Sequence, residues 1–165
     1  MIKLVDLYEE VIKGDIYGKL YKGTRKPLGD FSKFAFSRLG TFFTTSKWFA
    51  EFYAKSDHNT GYVYEAKLKP NLRLFDTNDK ESVDKLVEWY AYMLPNERAI
   101  DADEIIGAHR NWQYMEENGV LEKLQKDGYD GIILNESGEH TLFLYLPVED
   151  KLEYIKLISD NKSIA

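Results

Sequence analysis

Apolar and polar positions change period several times along the chain, and each change marks an element. Ile2, Leu4, Val5, Leu7, Tyr8, Val11 and Ile12 form an apolar stripe among charged residues, which predicts an amphipathic helix over 2–13 ended by Gly14. Ile16 to Tyr21 reads as a short strand, followed by a basic loop from Lys22 to Asp30 punctuated by Gly and Pro. Phe31, Phe34 and Phe36 then stand in an irregular stretch that should cover something, since three Phe rarely share exposure to water. Gly40 releases the chain into Thr41-Phe42-Phe43, a short strand, and three hydroxyl residues, Thr44, Thr45 and Ser46. Ser46 is a good N-cap, because its oxygen accepts a free backbone N–H of the first helical turn. Trp48, Phe49, Phe52 and Tyr53 follow at helical spacing with Ala50 and Ala54 between them. Alone, this unit is an ordinary capped helix whose aromatics fill a core.

Tyr62 to Leu68 alternates as a strand, Lys69-Pro70-Asn71 turns the chain, and Leu72 to Asp76 is a further strand. Val83, Leu86, Val87, Tyr90 and Met93 give a helix that Pro95 ends. Asp101 to Gly107 is short and weakly helical. Trp112 to Lys126 reads as one helix, with Asn118-Gly119 as a bend or break. These segments form a helical insert over about 78–127. Gly128-Tyr129-Asp130-Gly131 turns into the buried run Ile132-Ile133-Leu134, Asn135 to Glu139 reads as a loop, and His140 to Leu146 is β-prone up to Pro147. Leu152 to Ile158 fits a last strand or a short helix, and Ser159 to Ala165 a frayed tail. No repeat or linker divides the pattern, which implies a single α+β domain over 1–165.

Composition narrows the function. The chain has 165 residues, with 44% hydrophobic and 15% aromatic content, enough to bury a core. Twelve Tyr and nine Phe exceed what a small core needs, so some fit a cleft where flat ligands stack. A net charge of −6 argues against a nucleic-acid binder held by phosphate contacts. There is no Cys, which excludes disulfides and thiolate chemistry and suits a reducing, cytoplasmic compartment. His58, His109 and His140 lie far apart without zinc spacing, so no metal is expected. No signal peptide or membrane-length apolar run stands out.

Three segments stand in a fixed order: Leu20-Tyr21-Lys22-Gly23-Thr24; Gly40-Thr41-Phe42-Phe43-Thr44 with Ala50-Glu51-Phe52-Tyr53-Ala54; and Gly128-Tyr129-Asp130-Gly131-Ile132 with the β run to Pro147. This order resembles the ADP-ribosyltransferase superfamily, most of all its small phage and mobile-element domains, over roughly Leu20 to Ile158. The resemblance implies short strands in two packed sheets around a cleft that takes NAD as substrate. In that family, a His or Arg of the first strand holds the ribose or phosphate; it falls on Lys22, which keeps the charge without the planar fork. Tyr21, Gly23 and Thr24 flank it. The family's second-motif Tyr falls on Phe42, and Thr44-Thr45-Ser46 could play the part of the Ser-Thr-Ser motif of another branch. Tyr53 matches the helix aromatic beside nicotinamide. The acidic position falls on Thr141. Glu139, two residues earlier on the same strand face, is the first choice for the acid, and Glu136, in the preceding loop, the second.

The chemistry explains why such groups are needed. Breaking the nicotinamide–ribose bond builds positive charge on the sugar, and a nearby carboxylate stabilises it. Aromatics sandwich the pyridinium ring and exclude water. The resemblance therefore implies transfer of ADP-ribose from NAD to a host protein acceptor, in a host cytoplasm if the chain is phage-encoded. Arg25 and Lys26 could meet the pyrophosphate, and His109-Arg110 reads as surface. Loss of the His or Arg, the Tyr and the aligned Glu leaves two alternatives open. One is a fold that binds NAD, ADP-ribose or a protein without chemistry; the other is a structural or virion component.

Overall fold

The structure is a computed structural model and describes residues 16–25, 27, 39–55, 61–93, 101–107, 111–116, 119–136 and 139–160. The helix expected over 2–13, the stretch from Phe31 to Phe36, and Lys26, His58, His109 and Arg110 lie outside these residues.

Seven strands form one mixed sheet: β1 (Leu20–Thr24), β2 (Gly40–Thr44), β3 (Tyr62–Leu68), β4 (Leu74–Asp76), β5 (Gly131–Glu136), β6 (Glu139–Tyr145) and β7 (Leu152–Asp160). Their spatial order is β4-β5-β6-β2-β1-β3-β7. Only β4 and β5 run parallel; the other neighbours are antiparallel. Two separate sheets were expected. The register pair Tyr21–Thr44 joins the halves into one hydrogen-bonded sheet instead. The helices are α1 (Lys47–Ala54), α2 (Lys80–Met93), α3 (Ala102–Gly107), α4 (Trp112–Glu116) and α5 (Val120–Lys126). None among the described residues is long and apolar enough to cross a membrane.

The pleat explains the run Ile132-Ile133-Leu134. Ile132 and Leu134 pack with Phe143 and Tyr145 against Val83, Leu86 and Leu124 of the helical layer. Ile133 points the other way, with Leu142 and Leu144, into a cluster completed by Leu20, Phe43 and Leu68. A strand buried on both faces needs an unbroken apolar run. Phe43 and Phe42 divide between the same two clusters.

Several boundaries differ from expectation because strand pairing rather than the local pattern decides them. Lys22, Gly23 and Thr24 belong to β1, since they pair with Tyr64, Val63 and Tyr62 of β3. Asn135 and Glu136 extend β5, and Glu139 opens β6, because their ladder continues to the Glu136–Glu139 pair. The span 152–160 is strand throughout, paired along β3. The helix expected over Trp112–Lys126 is two helices, with Gly119 left-handed at φ 76° before α5.

Two features open a cleft. Among the described residues, β1 and β2 share one register pair, whereas each makes a full ladder on its other side. Beside them, α1 lies against β1 so closely that a Cβ on Gly23 would stand 1.8 Å from the Ala50 carbonyl oxygen. Only glycine permits that approach.

Candidate active site

The cleft has a volume of about 440 Å³. One wall is β1 with Tyr21, Lys22 and Gly23; the floor is β2 with Phe42 and Thr44. α1 contributes Phe49, Ala50 and Tyr53, and the ends of β5 and β6 contribute Glu136 and Thr141.

Lys22 is the cation of the cleft. Its ammonium donates to the Phe42 carbonyl oxygen at 2.9 Å and lies 5.6 Å from the Phe43 ring centroid. Burial pushes its pKa down from 10.5 to about 8. An ammonium this poorly hydrated, close to neutral pH in its titration, is suited to meeting an anionic ligand group.

Glu136 is the carboxylate of the cleft, and each of its oxygens accepts a hydrogen bond. The Tyr53 hydroxyl donates to Oε1 at 2.5 Å and the Thr141 hydroxyl to Oε2 at 3.3 Å. The β ladder explains the Thr141 contact. Thr141 pairs with Leu134, two residues before Glu136, so the two side chains are diagonal neighbours on one sheet face. Glu139 pairs with Glu136 across the hairpin but does not line the cleft.

The remaining expected residues divide. Thr44 lines the cleft, with its hydroxyl donating to the His140 carbonyl at 3.4 Å and accepting from the Ser46 N–H at 3.1 Å. Thr45 also donates to the His140 carbonyl, and Ser46 accepts from the Phe49 N–H at 3.2 Å as the N-cap of α1. Thr45 and Ser46 hold backbone and do not line the cleft; nor does Thr24. Of the aromatics of α1, Phe49 is buried and Tyr53 half exposed, while Trp48 and Phe52 stack outward at 6.0 Å.

Sequence patterns did not point to the wall made by α4. Trp112, Gln113 and Glu116 all line the cleft. Trp112 meets Phe42 edge-on at 4.5 Å, and its buried Nε1 has no hydrogen-bond partner among the described residues. Asn111, fully buried, fixes the start of α4: its side chain donates to the Thr77 hydroxyl at 2.8 Å and accepts from the Asn135 N–H at 2.9 Å. The same contact ties α4 to the residue before Glu136. The i, i+3 spacing of Gln113 and Glu116 was the available signal, but it equally describes a solvated helix face.

A buried cation, aromatic walls and a doubly held carboxylate thus share one concavity. They suit a ligand carrying anionic groups at one end and a flat ring at the other. No curated protein and no solved structure matches the chain. A family model described as ADP-ribosyltransferase in polyvalent proteins matches residues 17–163, which include every described strand and helix. By that match, the chain belongs to the ADP-ribosyltransferase family of polyvalent proteins.

Proposed function

We propose that the chain transfers ADP-ribose from NAD to an acceptor on a host macromolecule, with Glu136 as the acid of the site. Family membership supports the reaction class. The observation that carries the assignment is the Glu136 carboxylate, held by Tyr53 and Thr141 in the same cleft as Lys22. By resemblance, Thr141 stands where the family has its acid. Adjacent strands lie roughly 5 Å apart, so a longer side chain from β5 can occupy the space that a β6 carboxylate would fill. That is the reason to prefer Glu136 to Glu139.

Lys22 would meet the pyrophosphate or a ribose hydroxyl. Phe42, Tyr53 and Trp112 would enclose the nicotinamide. The bond between ribose C1′ and the pyridinium nitrogen breaks, and its electron pair leaves with nicotinamide, which becomes neutral. Positive charge grows on C1′ and its ring oxygen; Glu136 stabilises it and orients the 2′-hydroxyl. The acceptor's lone pair then forms the new bond to C1′, and the acceptor loses a proton.

The test is incubation of the protein with NAD labelled in the adenylate moiety and host lysate, with nicotinamide release followed in parallel. Label on a macromolecule with stoichiometric nicotinamide is the expected result. NAD binding with no nicotinamide release would refute the transferase reading and assign the cleft to binding alone.

A further inference from the structure

A second groove, of about 430 Å³, lies between β4, α2 and α5 and shares no lining residue with the cleft. Arg73, Lys85 and Lys123 line it, with Asp127 as its one carboxylate residue. The Arg73 guanidinium lies 4.3 Å from the Tyr129 ring centroid, and the Lys123 ammonium 5.1 Å from that of Trp89. Both cations converge on Asp127, Lys123 on its carboxylate at 2.8 Å and Arg73 Nη1 on its backbone carbonyl.

The charges here are only partly neutralised: Lys123 is paired with the Asp127 carboxylate, and Arg73 is the cation without such a pair. Among the described residues, no carboxylate stands within ion-pair distance of the Arg73 guanidinium; Asp130 accepts that residue's backbone N–H instead. Lys85 meets Glu81 at 3.4 Å, but both side chains are more than 70% exposed, so the pair is weak. A chain of net charge −6 therefore gathers three cations around one hollow. Guanidinium and ammonium donors together favour a phosphate, which accepts a forked pair and a point charge at once. A lone phosphate would leave most of the volume empty. The rest of the wall is Phe75, Leu86, Trp89, Leu124 and Tyr129 with the hydroxyl residue Ser82, and Trp89 offers a flat surface against which a ring can lie.

We propose that this groove binds a mononucleotide: its phosphate held by Arg73, Lys85 and Lys123, its base against Trp89. This does not depend on the function proposed for the cleft.

The experiment is calorimetric titration with adenosine monophosphate, inorganic phosphate and adenosine. The full chain carries Lys22→Met, so that the cleft has lost its cation. Adenosine monophosphate is expected to bind, and Lys85→Glu, at an exposed position the fold does not need, to weaken it at least tenfold. Arg73→Gln should do the same. Adenosine and inorganic phosphate should each bind at least tenfold more weakly than the nucleotide. No nucleotide binding in the Lys22→Met background, or binding that neither groove variant weakens, would overturn the proposal. Phosphate binding as tightly as the nucleotide would overturn the part assigned to Trp89.

Discussion

Lys22→Met should stabilise the protein while removing its affinity for NAD. The Lys22 ammonium is buried beside the Phe42 carbonyl, and its pKa falls from 10.5 to about 8. At pH 7 such a group still holds its proton about 90% of the time, so the folded chain carries a poorly hydrated cation. The depression of roughly 2.5 units corresponds to about 3 kcal/mol of destabilisation. Below pH 8 both folded and unfolded chains keep the proton and the penalty is constant. Between about 8 and 10.5 only the unfolded chain keeps it, so this contribution to stability rises with pH, and above 10.5 the penalty is gone. Methionine removes the charge and with it the Lys22 hydrogen bond to the Phe42 carbonyl, a loss of about 1 kcal/mol. The net gain at pH 7 is then about 2 kcal/mol, a rise in Tm of roughly 4–8 °C for a chain of this size. Urea denaturation of both proteins at pH 7 and pH 10 measures it. The informative quantity is the difference between them, because burial also lowers the Lys151 pKa in both. The advantage of the variant should shrink from pH 7 to pH 10. A variant less stable than the parent at pH 7, or an advantage independent of pH, would refute the reasoning.

Two further substitutions probe how the cleft is built. Gly23→Ala places a methyl group 1.8 Å from the Ala50 carbonyl oxygen, so α1 must move off β1; the expected cost is about 3 kcal/mol or more, read as a fall in the urea midpoint with weakened NAD binding. Asn111→Ala strands the Asn135 N–H, while the Thr77 hydroxyl keeps its bond to the Ile133 carbonyl; a stability loss of about 1–3 kcal/mol is expected, with slower nicotinamide release because α4 and the β5 end lose a side-chain tie.

What the sequence discloses and what it hides follow from the range of the forces involved. The β2–α1 unit is legible because its determinants are local: Ser46 caps the helix from three residues before Phe49. The burial of β5 is legible because both of its faces are apolar. The extent of β1 and β7 is not, since their ladders join segments far apart in the chain. One sheet reads as two because, among the described residues, its halves meet at a single register pair that leaves no mark in the pattern of residues. The choice of acid depends on hairpin register. Spacing on β6 favoured Glu139, whereas it is Glu136 that meets Thr141 and Tyr53 in the folded chain. The wall made by α4 was illegible for a similar reason: Asn111 acts through residues 34 and 24 positions away.

The most direct test compares Glu136→Gln with Glu139→Gln, both isosteric, at saturating NAD, with nicotinamide release as the readout. Glu136→Gln should lower the rate by a factor on the order of 10²–10³, because the charge that stabilises the developing cation is gone. Glu139→Gln should stay within a factor of about three of the parent, since it does not line the cleft. Full activity in Glu136→Gln, or a collapse of activity in Glu139→Gln with the fold intact, would contradict the assignment of the acid to β5.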